Sequence, residues 1–204
     1  MEKKPTRERI LDAAHELWTT VGLARTTTKE IARGAGCSEA ALYKYFAGKE
    51  ELFVAVLTER LPKLAPLLES LAAEPGGRTV EENLTEIARQ AALFYAESFP
   101  IAASLYAETR LKARHDASMR RLDAGPHRPL ESLDAYLRAE QAAGRVDAGA
   151  DTFAAASLLL GACSQRAFAY DAKVGKEPPQ DLDTFATSIA RTLVSGIAAA
   201  DTGT

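Results

Sequence analysis

The sequence predicts an all-α protein. Alanine makes up roughly one in five of the 204 residues, and Val, Ile and aromatic residues at period-two spacing are scarce, which favours helices over strands. Apolar positions recur instead at spacings of three and four along most of the chain. Breaks rich in Gly and Pro divide this pattern into about nine helical segments.

The first helix is predicted from Thr6, as its cap, to about Val21, with Gly22 as the stop. Its apolar positions fall on one face at helical spacing, and they are Ile10, Leu11, Ala14, Leu17, Trp18 and Val21. The pattern therefore indicates an amphipathic helix.

Two short helices follow, joined by a three-residue turn. Thr27 and Glu30 have capping-box spacing, which predicts a helix that ends near Ala35. Residues 36–38 form the turn, in which Gly36 supplies a positive φ. The last of them, Ser38, caps a helix through about Phe46. Two helices joined in this way are typical of a helix-turn-helix.

The rest of the chain is predicted to be helical as well. A fourth helix runs from about Lys49 to Ala73, and Pro62 and Pro66 are expected to kink or divide it. Pro100 is expected to mark a bend between the next two helices. The predicted ranges after the fourth helix are 79–98, 101–122, 129–143, 151–172 and 182–200.

Composition excludes several classes of protein. No segment reaches the roughly 18 apolar residues needed to span a bilayer, and Cys37 and Cys163 are too few for a disulfide framework, so we expect a reduced, cytoplasmic protein. The chain has neither a nucleophile-elbow motif nor a phosphate-binding loop, and its three histidines lack ligand spacing. We therefore expect no enzyme, no cofactor and no metal site.

Charge is distributed unevenly along the chain. The formal net charge is -3, but residues 1–50 carry nine Lys and Arg against seven Asp and Glu, a balance of +2. The other 154 residues carry 16 against 21, a balance of -5. A basic face is what nucleic-acid binding requires, so the N-terminal part is the better candidate for it.

Three runs carry a family resemblance. They are Ile-Leu-Asp-Ala-Ala from residue 10, Thr-Thr-Thr-Lys-Glu-Ile-Ala from residue 26, and Ala-Gly-Cys-Ser-Glu-Ala-Ala-Leu-Tyr-Lys-Tyr-Phe from residue 35. Together they resemble the DNA-binding domain of TetR-family transcriptional regulators. The resemblance implies a DNA-binding domain over residues 1–50 and a helical ligand-binding and dimerisation domain over residues 51–204. Two positions depart from the family pattern, since Tyr45 stands where many members have His and Gly48 where many have Asn or Asp.

The predicted DNA-contacting side chains lie mainly on the second helix of the motif. Leu42 and Phe46 should face inward, which directs Glu39, Ala40, Tyr43 and Lys44 outward. Ala40 and Tyr43 can touch thymine methyl groups or sugars, and Lys44 can reach either a guanine edge or a phosphate. Glu39 either accepts from cytosine N4 or is simply a favourable acid at a helix N-terminus.

The remaining candidates bind the DNA backbone. Thr27 and Thr28 lie at a helix N-terminus, where hydroxyl and free N–H groups can hold a phosphate, and Ser38 begins the next helix. The resemblance adds Tyr45 and Lys49, since the family uses a residue at the end of the recognition helix and a lysine at the start of the next helix for backbone contacts.

A second copy and an effector complete the expected partners. One helix-turn-helix covers too few base pairs for specificity, so a homodimer on a palindromic or pseudopalindromic double-stranded operator is expected. The candidate interface comprises Leu158, Gly161, Ala162, Ile189, Leu193 and Ile197, which could equally bury within their own chain. A largely apolar small molecule is expected between the middle helices, with candidate lining residues Phe94, Tyr95, Phe99, Tyr106, Arg110, His115 and Phe168. Aromatic residues at helical spacing are also common in ordinary cores.

The sequence thus predicts a ligand-responsive transcriptional regulator, a repressor that a small-molecule effector releases from its operator. Two alternatives stay open at this point: a DNA-binding activator, and a helical scaffold or adaptor without DNA binding. No membrane partner is expected.

Overall fold

The computed structural model describes residues 4–74, 77–106, 109–170 and 177–197, and every regular element within these ranges is a helix. The predicted all-α fold class is therefore confirmed. The ten helices are α1 (Thr6–Thr20), α2 (Thr28–Gly34), α3 (Glu39–Leu42), α4 (Lys49–Glu59), α5 (Leu64–Ala73), α6 (Val80–Tyr106), α7 (Thr109–Arg121), α8 (Arg128–Ala142), α9 (Thr152–Ala169) and α10 (Leu182–Ile197).

The two ends of α1 differ slightly from the prediction. The N-cap is Pro5, and Thr6 is the first helical residue, whose hydroxyl accepts a hydrogen bond from Arg9 Nη2 at 3.2 Å. At the other end Val21 lies just beyond the helix and is exposed. Gly22 has a φ of 95°, as its predicted role as a helix stop requires.

The predicted fourth helix is divided. Pro62 lies between α4 and α5, so the expected single element becomes two, and the described residues hold ten helices where about nine were expected. Pro66 falls in the first turn of α5, where a missing N–H costs no intrahelical bond.

The predicted bend at Pro100 is wrong as a helix boundary. Proline cannot donate to the carbonyl four residues earlier, which is why it was expected to separate two helices. Helix α6 instead continues through Pro100 to Tyr106. The neighbouring Ser98 and Ile101 are buried, and this packing offsets the loss of one hydrogen bond.

The chain folds as two compact units. Unit 1 comprises Met1–Leu61 and Glu97–Gly125, and unit 2 comprises Pro62–Ala96 and Pro126–Thr204, so the residues of α6 are divided between them. These are units of packing. The division into a DNA-binding part (1–50) and a sensor part (51–204) concerns function and stays a prediction.

Helices α1 to α4 of unit 1 share one apolar core. Its large buried side chains include Ile10, Leu11, Trp18, Ile31, Leu42, Leu52 and Val56. An aromatic row extends this core, since Phe53 packs against Trp18 at a ring distance of 5.9 Å and against His115 of α7 at 4.8 Å, edge to face.

Ion pairs fasten α1 to the end of α4. Arg60, at the C-cap of α4, pairs with Glu8 and with Asp12, and its Nε lies 2.9 Å from the Asp12 carboxylate. Arg7 makes a forked pair with Glu59, at 2.7 and 2.6 Å. Each arginine pairs with a carboxylate more than 45 residues away in the sequence. These ion pairs therefore fix the register between α1 and the end of α4.

Unit 2 is built around α8, which packs against both α5 and α9. The core also takes in the N-terminal part of α6 and one face of α10, and its fully buried residues include Leu68, Leu84, Ile87, Leu133, Leu137 and Leu159. A polar pair crosses it, since Asn83 Nδ2 donates to the hydroxyl of Tyr136 at 2.9 Å. Among the described helices, none combines the length and the apolar character that a membrane span needs.

Candidate nucleic-acid interface

The N-terminus of α2 is closed by a capping box, as predicted. Glu30 N donates to Thr27 Oγ1 at 3.2 Å, while Thr27 N and Oγ1 both donate to Glu30 Oε2 at 2.8 Å. These hydrogen bonds from Thr27 lower the pKa of the Glu30 carboxyl. Thr27 therefore performs the capping predicted for it, and a phosphate contact from the same residue stays a prediction.

The turn between α2 and α3 is held from outside the motif. Gly36 has a φ of 62°, and Cys37 N donates back to Ala32 O at 2.9 Å. Arg9 of α1 donates through Nη1 to Ala35 O at 2.7 Å, at the C-cap of α2. A Cβ atom at position 36 would stand 3.2 Å from that same Nη1. The positive φ of the turn favours glycine, and a side chain at position 36 would in addition make the Arg9 guanidinium shift slightly.

Helix α3 is shorter than predicted, but it presents the predicted faces. Ser38 caps it by accepting from Ala41 N at 3.1 Å, and residues 43–45 continue as turns. Leu42 and Phe46 are buried and anchor the segment to the core. On the outer side Ala40, Tyr43, Lys44 and Tyr45 are exposed, which is the arrangement needed for contact with a DNA groove.

One hydrogen-bonded group joins α2 to α3. Thr28 Oγ1 donates to Glu39 Oε1 at 2.6 Å, and the Thr28 hydroxyl lies 3.2 Å from the hydroxyl of Tyr43. Thr28 and Glu39 are half-buried. The structure therefore brings together three of the predicted DNA-contacting residues and gives them contacts with one another.

Lys49 is bonded to the protein backbone. Its ammonium, at the first residue of α4, donates to the carbonyls of Leu23 and Thr26, with Nζ 2.6 Å from Thr26 O. Burial lowers the pKa of Lys49. The lysine thus holds the loop between α1 and α2, and its predicted phosphate contact stays a prediction.

Sequence reasoning missed two cations beside this face. A shallow groove of about 650 Å³ is lined by Lys29, Ala32, Arg33, Gly36, Cys37, Ser38 and Glu39. Lys29 and Arg33 are exposed and lie one helical turn apart on α2. Their spacing of four residues, on a predicted helix beside the turn, could have identified them from the sequence as a pair on one helix face. Cys37 is half-buried at the groove.

The candidate effector-pocket residues occupy both units. Phe94 and Tyr95 pack on the core of unit 2 and meet edge to face at 5.6 Å, and burial raises the pKa of Tyr95 to about 12. Phe168 of the same unit is 75% exposed. Phe99 and His115 belong to unit 1, and burial lowers the pKa of His115. The side chains of Tyr106 and Arg110 fall outside the described residues, so a shared pocket stays a prediction.

The candidate dimer residues divide between core and surface. Leu193 is buried in its own chain, Ile189 packs partly against the same core, and Ala162 is half-buried. On α9, by contrast, Leu158 is 65% exposed, and a Cβ on Gly161 would meet no atom within 4 Å. The side chain of Ile197 lies beyond the part that the structure describes. The self-burial alternative thus fits Leu193, whereas Leu158 and Gly161 remain available to a partner.

Comparison with protein families gives two matches in chain order. Residues 10–56 match the bacterial regulatory proteins of the tetR family, and residues 82–194 match the AefR-like transcriptional repressor C-terminal domain. The second match alone spans more than half of the chain.

Curated relatives agree with these matches. The fatty acid metabolism regulator protein of Bacillus subtilis (strain 168) is 24% identical over 201 residues, which cover 96% of this chain and 97% of the relative. The uncharacterized HTH-type transcriptional regulator YvkB of the same organism is 42% identical over 66 residues, 32% of this chain and 35% of the relative. The chain thus spans between a quarter and a half of the length of the first three curated relatives it matches.

Solved structures share the fold along more than nine-tenths of the chain. A TetR-family transcriptional regulator from Mesorhizobium loti is 20% identical with a TM-score of 0.69, covering 97% of this chain and 100% of that chain. The transcriptional regulator FadR from Bacillus subtilis, solved in complex with stearoyl-CoA, is 21% identical with a TM-score of 0.64, covering 93% of this chain and 98% of that chain.

Proposed function

Because the chain belongs to the TetR family of bacterial regulatory proteins, and is therefore a transcriptional regulator and not an enzyme, we propose that it represses transcription from an operator that it binds as a homodimer. The observation that carries the proposal is the exposed face of Ala40, Tyr43, Lys44 and Tyr45 on a segment anchored by buried Leu42 and Phe46. Such a face can enter a major groove while the anchors keep its register.

Phosphate contacts supply most of the affinity in this proposal. Lys29, Arg33 and Lys44 are exposed around the same face, and each phosphate that they neutralise releases counterions. Thr27, Ser38 and Lys49 complete the proposed backbone contacts. The small positive balance of the N-terminal part implies few contacts per subunit, so binding should depend on having two subunits and on low salt.

Helix α9 offers a surface for the second copy. Ala154, Leu158, Gly161 and Phe168 follow one another at helical spacing and are all exposed. A stripe of this kind, with glycine at its centre, permits close packing against the same helix of a partner. The proposed interface is therefore an α9 stripe supported by α10.

The proposed effector is a largely apolar small molecule. One solved relative of the fold holds stearoyl-CoA, and a full-length relative is named for fatty acid metabolism, so a fatty acyl thioester is the first molecule to try. By linkage, an effector that releases DNA must bind the DNA-free form more tightly. Movement of α4 is the proposed route, since this helix follows the DNA-contacting segment directly.

A gel-shift experiment tests the DNA-binding part of the proposal. The protein is titrated into labelled DNA that flanks its own coding region, at two salt concentrations, with a fragment from inside the gene as control. We expect retardation of a flanking fragment that weakens steeply with salt. A folded dimer that retards no flanking fragment would contradict the proposal.

Two further assays test the finer claims. Stearoyl-CoA added to the retarded complex should release the DNA, whereas coenzyme A alone should not. Transcription from the bound promoter in a purified system should fall when the protein is added. A rise would favour the activator alternative instead.

A further inference from the structure

The hydroxyl of Thr28 has a partner on each side. It donates to Glu39 Oε1 at 2.6 Å and lies 3.2 Å from the Tyr43 hydroxyl. Thr28 begins α2, Glu39 begins α3 and Tyr43 is the C-cap of α3. One side chain of the first helix of the motif therefore contacts both ends of the second.

The order of donors follows from the number of protons. A threonine hydroxyl has one proton to give, and a carboxylate can only accept. Since Thr28 gives its proton to Glu39, the Tyr43 hydroxyl must be the donor in the other contact. The chain of hydrogen bonds runs from Tyr43 to Thr28 to Glu39, and such chains strengthen their terminal bond.

Thr28 is not the cap of α2, so helix capping does not explain its contacts with Glu39 and Tyr43. The cap of α2 is Thr27, whose hydroxyl accepts from Glu30 N, and Glu30 closes the box. The Thr28 side chain is thus free to serve α3. Its contacts with Glu39 and Tyr43 span 11 and 15 residues of sequence, so they belong to the packing of the motif and not to a local turn.

The restraint matters because Glu39 is an acid on a face that must approach phosphates. A mobile carboxylate there would be repelled by the DNA backbone or would bond to whatever donor it meets. Because Thr28 holds Oε1, the carboxylate has less freedom to turn, and Oε2 keeps its capacity to accept from a ligand. In the major groove the matching donor is the exocyclic amine of cytosine, N4.

We propose that Thr28 is a specificity-determining positioning residue, which orients Glu39 to select cytosine at one position of each half-site. The proposal rests on the proposed function, since it presupposes that the chain binds DNA. It gives Thr28 a role distinct from a phosphate contact: the residue acts through Glu39 and changes which sequence is preferred.

The test measures base preference with a duplex pool. Full-length wild-type protein and the variants T28V, T28S, E39Q and Y43F are each incubated with a synthetic double-stranded DNA pool with a randomised core, and bound sequences are counted. T20V serves as the matched control, because the Thr20 hydroxyl donates to carbonyls of its own helix, those of Glu16 and Leu17. Affinity for the selected sequence and for one unselected sequence is then measured over a range of salt, and thermal unfolding checks each fold.

The expected result is confined to one position. T28V should lose about tenfold of the wild-type preference for cytosine there, the lower end of the size expected for one hydrogen bond to a charged group, and E39Q should alter the same position. T28V should keep the wild-type salt slope, because it removes no phosphate contact. T28S should restore the preference, Y43F should reduce it partly, and T20V should match the wild type.

Other outcomes overturn the inference. Uniform weakening on all sequences with a smaller salt slope would make Thr28 a phosphate contact. An unchanged preference in T28V, or a change spread over all positions, would remove the positioning role. If the wild-type protein enriches no sequence, the proposed function itself fails, and this result is distinguishable because it appears before any variant is compared.

Discussion

Arg9 of α1 donates a hydrogen bond through Nη1 to the carbonyl of Ala35, 2.7 Å away at the C-cap of α2. A cation at a helix C-terminus bonds a carbonyl that has no partner within the helix and complements the helix dipole. The same guanidinium lies against Gly36. One residue outside the helix-turn-helix thus holds its turn.

Replacing Arg9 by Met should destabilise unit 1. The change keeps most of the apolar stem and removes the charged donor, so we expect a loss of about 2 kcal/mol in the free energy of unfolding. Urea unfolding measures it. R25M is the matched control, since Arg25 is exposed in the loop after α1, and should lie within about 0.5 kcal/mol of wild type. Equal stability of R9M and R25M would remove the structural role of Arg9.

Lys49→Ala tests whether a lysine bonded to two carbonyls also reaches DNA. If Lys49 contacts a phosphate in the complex, the variant should bind all sequences more weakly and lower the salt slope by about 1. The assay is fluorescence anisotropy on one DNA fragment at several salt concentrations. K44A, which alters an exposed lysine, provides the comparison. An unchanged slope in K49A would limit Lys49 to its bonds with the loop.

His115 should make stability depend on pH. Burial against Phe53 lowers the pKa of His115 from the ordinary 6.5. The nearby carboxylates of Asp116 and Glu50 raise this pKa, but the effect of burial is larger. The ammonium groups of Lys112 and Lys49 lower it further. The folded state therefore favours neutral imidazole. Stability is fully present above about pH 6.5 and falls as the pH drops towards the lowered pKa.

The variant H115F isolates this contribution. It keeps an aromatic ring against Phe53 and removes the proton-binding group, so its stability should fall less than that of wild type between pH 7 and pH 5. Thermal unfolding across that range is the measurement, and H127Q controls for the loss of an exposed imidazole. Parallel curves for H115F and wild type would contradict the assignment.

Gly161→Leu should disrupt a dimer without harming the fold of the monomer. A side chain there meets open space within its own chain, and leucine is a better helix former than glycine, so stability should rise by about 0.5 to 1 kcal/mol. In a close α9 interface the added bulk would collide with the partner. Sedimentation should show monomers for G161L and dimers for wild type. G144L is unsuitable as a control because Gly144 has a φ of 73°, whereas S70L, at an exposed position of α5 outside the stripe, tests added bulk alone.

Local signals predicted the parts of the fold that depend on neighbouring residues. The capping box of Thr27 and Glu30, the positive φ of Gly36 and the inward anchors Leu42 and Phe46 all follow from spacing within a few residues. The helix boundary predicted at Pro100 was wrong because only the lost hydrogen bond was considered. Burial of the residues around Pro100 keeps the helix continuous.

Contacts between side chains that are far apart in the sequence could not be predicted from residue spacing. Thr28 and Glu39 were each expected to face DNA, and nothing in a periodic pattern indicates that their side chains bond to each other. Lys49 was likewise assigned to phosphate from a resemblance, while its distance to the Thr26 carbonyl depends on how the loop folds back 23 residues earlier. Residue types predicted a surface, and the fold determines which partners its side chains have within the chain.

Helix α6 lacks one of its backbone hydrogen bonds. Pro100 has no N–H, so the bond that would reach the carbonyl of Ala96 cannot form, and Ala96 is the residue at which unit 2 gives way to unit 1 along the helix. Bending stiffness of a helix comes largely from these bonds. Within α6, the turn between Ala96 and Pro100 is therefore the one that bends at least cost.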